Sequence, residues 1–307
     1  MIIAVIIMAA LAIMLAGLFA VYYKVFYSPH RDASEIDSPL IIKNKRVHEE
    51  IHSLTVHLAA MPFESVATRS YDGLGLFGRY YHRDDTSPVC ICFHGYRGSA
   101  VRDFSAMGQE LMRTGYNVLL VDERAHFRSG GHTITYGIRE RRDVLSWVEW
   151  ANDRFGSDRP IYLFGISMGA ATVLMASGLE LPDNVRAISA DCPYNVPKDI
   201  ICHVSKKVGF HPSWAWPLIR LSALIYGRLN ISEVSAAEAV KRTKAPILII
   251  HGEEDDFVPP YMSEQVKEAN PSMVERHTFP EANHGTSYFA DRERYMRIVG
   301  AFLDKHK

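Results

Sequence analysis

The feature that most limits what this chain can fold into is a repeated alternation of short apolar runs with helix-length segments. Residues 89–93, 117–121, 161–164, 185–190, 246–250 and 274–279 are strand-like, and each is followed by a Gly, Pro or polar residue. Helical patterns follow at 104–114, 139–155 and 168–178, and a last one closes the chain near 291–305. The runs 89–93, 118–121, 161–164 and 246–250 are continuously apolar, as expected for strands buried on both faces of a parallel sheet. Right-handed crossovers then put the strand C-termini, and any site, along one edge. An antiparallel pair, 66–70 and 76–82, joined by a turn at Asp72-Gly73, precedes this core. One insertion breaks the rhythm between Ala190 and Pro246. It holds Trp214, Trp216, Leu218, Ile219, Leu221, Leu224 and Ile225, which predicts a helical lid over about 195–240.

Met1 to Tyr23 carries no charged side chain. As a helix it spans about 34 Å, enough to cross the hydrocarbon core. Tyr22, Tyr23 and Lys24 fit an interfacial belt. No Lys or Arg precedes the run, so an uncleaved anchor is expected over a signal peptide. The expected division is a transmembrane anchor at 1–23, a juxtamembrane linker at 24–62 with a short helix after Pro39, and one domain at 63–307. Lys24 and Arg31 flank the anchor on its C-terminal side, which puts that domain on the cytoplasmic face. The 307 residues, 48% hydrophobic, allow one large core. A net charge of −1 provides no basic field, so nucleic acid is excluded as a partner. Oligomeric state leaves no mark on the sequence. Cys90, Cys92, Cys192 and Cys202 show no C-x-x-C spacing, and the first two alternate with apolar residues like buried strand positions.

Four segments carry chemistry. Gly165-Ile166-Ser167-Met168-Gly169 follows a strand and opens a helix rich in small residues, which holds a serine hydroxyl proud of a tight turn. That helix directs its N-terminal amides toward a developing oxyanion. His94-Gly95-Tyr96-Arg97-Gly98 follows an earlier strand, so the N–H groups of Tyr96 and Met168 form the expected oxyanion hole. His251-Gly252-Glu253-Glu254-Asp255-Asp256 lies beyond another strand, and Asp255 and Asp256 compete to be the acid that orients an imidazole. Asn283-His284-Gly285 supplies a base after the last strand. The order Ser, Asp, His, with each in a loop after a strand, brings all three to one edge.

These motifs resemble the α/β-hydrolase superfamily from about Phe63 to the C-terminus, with the bacterial serine-aminopeptidase-like and acylesterase-like membrane-anchored members most similar. The resemblance implies a mostly parallel sheet flanked by helices, with a helical lid and an N-terminal transmembrane helix. It also implies Asp255 as the acid, since that position precedes Val258-Pro259 as in the family. Asp122-Glu123-Arg124-Ala125-His126-Phe127-Arg128-Ser129-Gly130 is similar to the family's D-x-R-G-H-G-x-S, but Ala125 and Phe127 replace glycines, a change expected to reshape the pocket rim.

His48-Glu49-Glu50-Ile51-His52 matches the zincin pattern. No third ligand context follows it, so a solvated helix face is the expectation and no metal site is assigned. The leading functional expectation is a serine hydrolase acting on an ester, with thioesters, amides or small peptides open to the same chemistry and no cofactor required. The apolar lid and anchor favour a hydrophobic acyl substrate. An acyltransferase with the same triad, or a catalytically silent membrane-anchored binding protein, are the alternatives.

Overall fold

The computed structural model describes residues 1–29 and 44–307. Arg31 and much of the expected linker lie outside the described residues. The chain opens with α1 (Ile2–Val25) and α2 (Lys45–Ala60), then enters an eight-stranded sheet. Its strands are β1 (Glu64–Arg69), β2 (Gly75–Tyr81), β3 (Val89–Phe93), β4 (Asn117–Val121), β5 (Ile161–Ile166), β6 (Val185–Asp191), β7 (Ile247–Gly252) and β8 (Val274–Phe279). Their spatial order is β1-β2-β4-β3-β5-β6-β7-β8. The first two strands run antiparallel, and every pairing from β4 to β8 is parallel.

Helices connect the parallel strands: α3 (Ala100–Asp103) and α4 (Met107–Arg113) after β3, α5 (Glu140–Phe155) after β4, and α6 (Met168–Ala176) after β5. Of the segment 104–114, expected as helix, Met107–Arg113 is helical; a turn over 104–106 separates it from the short α3 before it. Between β6 and β7 lie α7 (Pro197–Lys207), α8 (Pro212–Tyr226) and α9 (Ala236–Val240), the lid helices. The chain closes with α10 (Tyr261–Ala269), α11 (Ser287–Ala290) and α12 (Arg292–Lys305).

All five residues of β3 and of β4 are buried, which explains their unbroken apolar character. The connections leave β3 in opposite directions, to β4 on one side and β5 on the other. That reversal opens a crevice at the C-terminal ends of β3 and β5.

The crevice exists because α6 starts almost in contact with β3. A methyl group on Gly169 would lie 1.9 Å from the Phe93 carbonyl oxygen, and one on Gly165 would lie 2.3 Å from the Gly169 carbonyl oxygen. Neither obstacle is a side chain that could swing aside. Gly300, inside α12, faces open space. Gly169→Ala is therefore expected to cost at least about 3 kcal/mol, lowering Tm by roughly 6–12 °C. Gly300→Ala gains up to about 1 kcal/mol. Thermal unfolding of both variants in the same detergent checks the contrast.

Candidate active site

β5 runs straight into Ser167, whose φ of 56° and ψ of −112° fall outside the ordinary L-residue regions. The Ser167 N–H donates to the Asp191 carbonyl at 2.9 Å, tying the turn to the end of β6. This turn lifts Oγ away from the backbone, where His284 Nε2 meets it at 2.9 Å. The His284 ring lies on the loop after β8 and beside Phe257, with ring centroids 5.0 Å apart. His284 Nδ1 donates to Asp255 Oδ2 at 2.7 Å. Since Nδ1 carries that proton, Nε2 is free to accept the serine hydroxyl.

The loop after β7 distinguishes the two aspartates. Asp255 Oδ1 accepts the N–H groups of Phe257 and Val258 at 3.0 and 2.8 Å, so both carboxylate oxygens are engaged. Burial opposes its ionisation, but His284 and His251 overcome that and hold the carboxyl well below the usual range. Asp256 points instead to Lys207 at the end of α7, 3.2 Å away. A further carboxyl, Asp191, takes the Tyr295 hydroxyl at 2.9 Å and has no bond to the imidazole. Burial pushes it up to about 6, although Tyr295 and the two histidines pull the other way.

The loop after β3 is shaped by two histidines whose role the motif alone does not reveal. His94 Nε2 accepts the N–H of Glu123 at 3.1 Å, which fixes the ring as neutral with its proton on Nδ1, facing the Gly95 carbonyl at 2.8 Å. Burial, the dominant cause, lowers its pKa to about 4 and keeps it so. His126 Nε2 likewise accepts the N–H of Arg97 at 3.1 Å. The rings meet edge to face, with centroids 4.6 Å apart. Asp103 on α3 completes the brace, accepting the Gly95 N–H at 2.7 Å.

Ala125 and Phe127 keep the positive φ that glycine would adopt, 62° and 42°. For residues with a side chain that conformation costs roughly 1–2 kcal/mol each. Arg124, buried between Asp143 (2.6 Å) and Asp72 (2.9 Å), holds the loop in place.

Two cavities meet at Ser167. The larger, about 600 Å³, is lined by Tyr96, Met168, Ile200, Val204, Trp214 and Ile219, and also by Ala20 and Val21 of α1. The smaller, about 120 Å³, adds Arg102, Asp103, Ser105 and His284. Tyr96 and Met168, the expected oxyanion donors, thus border the space in front of the serine.

The zincin-like histidines lie elsewhere. His48 and His52 are exposed on α2, while Ile51 between them is buried. Among the described residues they form no cluster with a third ligand; the one such grouping is Cys192, Asp255 and His284. All four cysteines are free, with Cys90 and Cys92 in β3 fully buried. Cys192, which no motif singles out, has its thiol 4.0 Å from His284 Nε2.

Comparison with known proteins agrees with this fold. Residues 88–214 match the family described as the alpha/beta hydrolase fold. The Bacillus subtilis protein YqkD is 26% identical over 261 residues, covering 85% of each chain. A zebrafish (Danio rerio) lysophosphatidylserine lipase, ABHD12, is 26% identical over 178 residues, which is 56% of this chain and 44% of that protein. The chain thus spans less than half the length of that lipase. Among solved structures, the Pyrococcus furiosus esterase Pf2001 superposes with a TM-score of 0.65 at 23% identity, covering 88% of this chain and 97% of that one. Est1E from Butyrivibrio proteoclasticus, bound to ferulic acid, gives 0.59 at 22% identity over 78% and 99% of the two chains. The strand order and the turn after β5 agree with these matches in one respect: the chain has the α/β-hydrolase fold.

Proposed function

We propose that the protein is a membrane-anchored serine hydrolase that cleaves carboxylic esters with a hydrophobic acyl group. The observation that carries this reading is the unbroken relay from Ser167 Oγ through His284 to Asp255, at the junction of a large apolar cavity and a small one of mixed lining that includes Arg102 and Asp103. The first cavity accommodates an acyl chain and the second a leaving group. The names of the lysophosphatidylserine lipases among the relatives support a lipid ester. Thioesters and amides present the same electrophilic carbon.

His284 Nε2 takes the hydroxyl proton as Ser167 Oγ bonds to the acyl carbon. The charge that develops on the carbonyl oxygen is met by the N–H groups of Tyr96 and Met168, the latter reinforced by the N-terminus of α6. Collapse expels the alcohol, which leaves with the proton from His284. Water then gives its proton to His284, attacks the acyl carbon and releases the acid, returning the proton to Oγ. Asp255 stays ionised throughout and stabilises the imidazolium.

The membrane part of the reading rests on α1, whose apolar length is consistent with anchoring. Lys24 at its C-terminal flank favours a cytoplasmic catalytic domain.

With full-length protein in detergent, a fluorophosphonate probe is expected to label wild type and not Ser167→Ala. Against a soluble ester, Ser167→Ala and His284→Ala lose about four orders of magnitude or more in kcat. Asp255→Asn loses about 10³–10⁴-fold, while Asp256→Asn stays within about twofold because its partner is an exposed lysine. Labelling that survives Ser167→Ala would remove the serine from the mechanism. A second expectation concerns the brace behind the oxyanion loop: His126→Leu lowers kcat by about tenfold to a hundredfold with KM little changed, as steady-state kinetics would show.

A further inference from the structure

The anchor does more than end at the domain. The helix α1 buries one face, Leu18 and Tyr22 with Leu15, Val21 and Val25 half-buried, and the following Phe26 is fully buried. Its last carbonyls, which no later turn of helix satisfies, are taken by the oxyanion loop and its neighbour. Tyr96 and Tyr136 hydroxyls donate to the Val25 carbonyl at 2.9 and 3.2 Å, and the Arg97 guanidinium donates to those of Lys24 and Tyr27 at 2.9 and 3.0 Å.

Length decides how deep the lid sits. Ile2–Met14 is exposed throughout, and thirteen helical residues rise about 20 Å, short of the roughly 30 Å of a hydrocarbon core. A span must therefore include Leu15 to Tyr22. That stretch carries α8 with it: the Tyr226 hydroxyl donates to the Leu15 carbonyl at 2.8 Å, and the Tyr226 ring lies 5.3 Å from Phe19.

The outward side of α8 suits such a depth. Leu221 and Leu224 are 39 and 59% exposed, and Trp214 and Leu218, which also line the cavity, are 51 and 42% exposed. The exposed cation on this helix, Arg220, has a stem long enough to bring its charge to the headgroups. Tyr23, Lys24 and Trp214 are residue types enriched at that boundary.

We infer that the last turns of α1 are a wall of the acyl cavity and that α8 lies beside them in one leaflet of the bilayer. A lipid's acyl chain passes from that leaflet between the two helices to Ser167, and Ala20 and Val21 limit the length the cavity accepts. The inference rests on the serine-hydrolase and anchor readings above.

The test uses full-length protein in phosphatidylcholine vesicles, with p-nitrophenyl butyrate and palmitate as substrates. Val21→Trp is expected to lower the palmitate-to-butyrate ratio of kcat/KM at least about tenfold. Ile6→Trp, on the exposed part of the same helix, leaves the ratio unchanged. Val21→Ala widens the wall and raises the ratio, which keeps the test open if the tryptophan variant does not fold. A ratio unmoved by both Val21 variants overturns the wall. Separately, brominated phosphatidylcholine should quench a component of tryptophan emission that is missing in Trp214→Phe, and equal quenching of the two proteins overturns the place of α8. If wild type cleaves neither ester, the serine-hydrolase reading is what has failed.

Discussion

Everything at this site depends on the near contact of two backbones, α6 against the end of β3. Phe93 and Gly169 approach so closely that no side chain fits between them. The turn from β5 into α6 has no other route, so Ser167 must take a positive φ. The strain, on the order of 1–3 kcal/mol, is held by the hydrogen-bonded sheet on both sides. The same approach brings the loop after β3 to the first turn of α6. The proposed nucleophile and both proposed oxyanion donors are therefore positioned by one packing event rather than by separate loops.

The polar groups around this contact are arranged to leave the reacting atoms unencumbered. Asp255 has each oxygen assigned, one to two amides and one to His284, so the imidazole has one orientation. His94 and His126 use their ring nitrogens on backbone groups and stay out of proton transfer. Arg124 neutralises Asp143 within a buried layer beneath them. Two histidines of nearly identical chemistry thus serve as scaffolding, and a third, His284, is oriented toward the serine.

Legibility in the sequence followed the range of the interaction that decides each feature. β3 and β5 were readable because burial on both faces writes an unbroken apolar run, and the Ser167 turn because glycines on either side are a local requirement. The break between α3 and α4 was not, since Phe104 to Ala106 carries no Gly or Pro. Sequence alone left Asp255 and Asp256 as rivals, because the choice is made by amides that face one of them only once the turn has formed. Ala125 and Phe127 stand in the left-handed region although neither is glycine, a backbone state that their residue types do not announce. Cys192 and the α1 wall depend on residues far apart in the chain, which no local pattern records.

The latch between α1 and the oxyanion loop also bears on how the molecule could be handled outside its native setting. Trimming the helix to obtain a freely soluble form would remove the acceptor shared by Tyr96 and Tyr136 and both carbonyls held by Arg97. It would also lay open the apolar chamber that Ala20 and Val21 now close. Such a truncation alters the hearth of the molecule, not its handle. A water-soluble version would have to keep residues 15–28 and exchange Leu221 and Leu224 of α8 and the exposed first turns of α1 for polar side chains, leaving the cavity lining untouched.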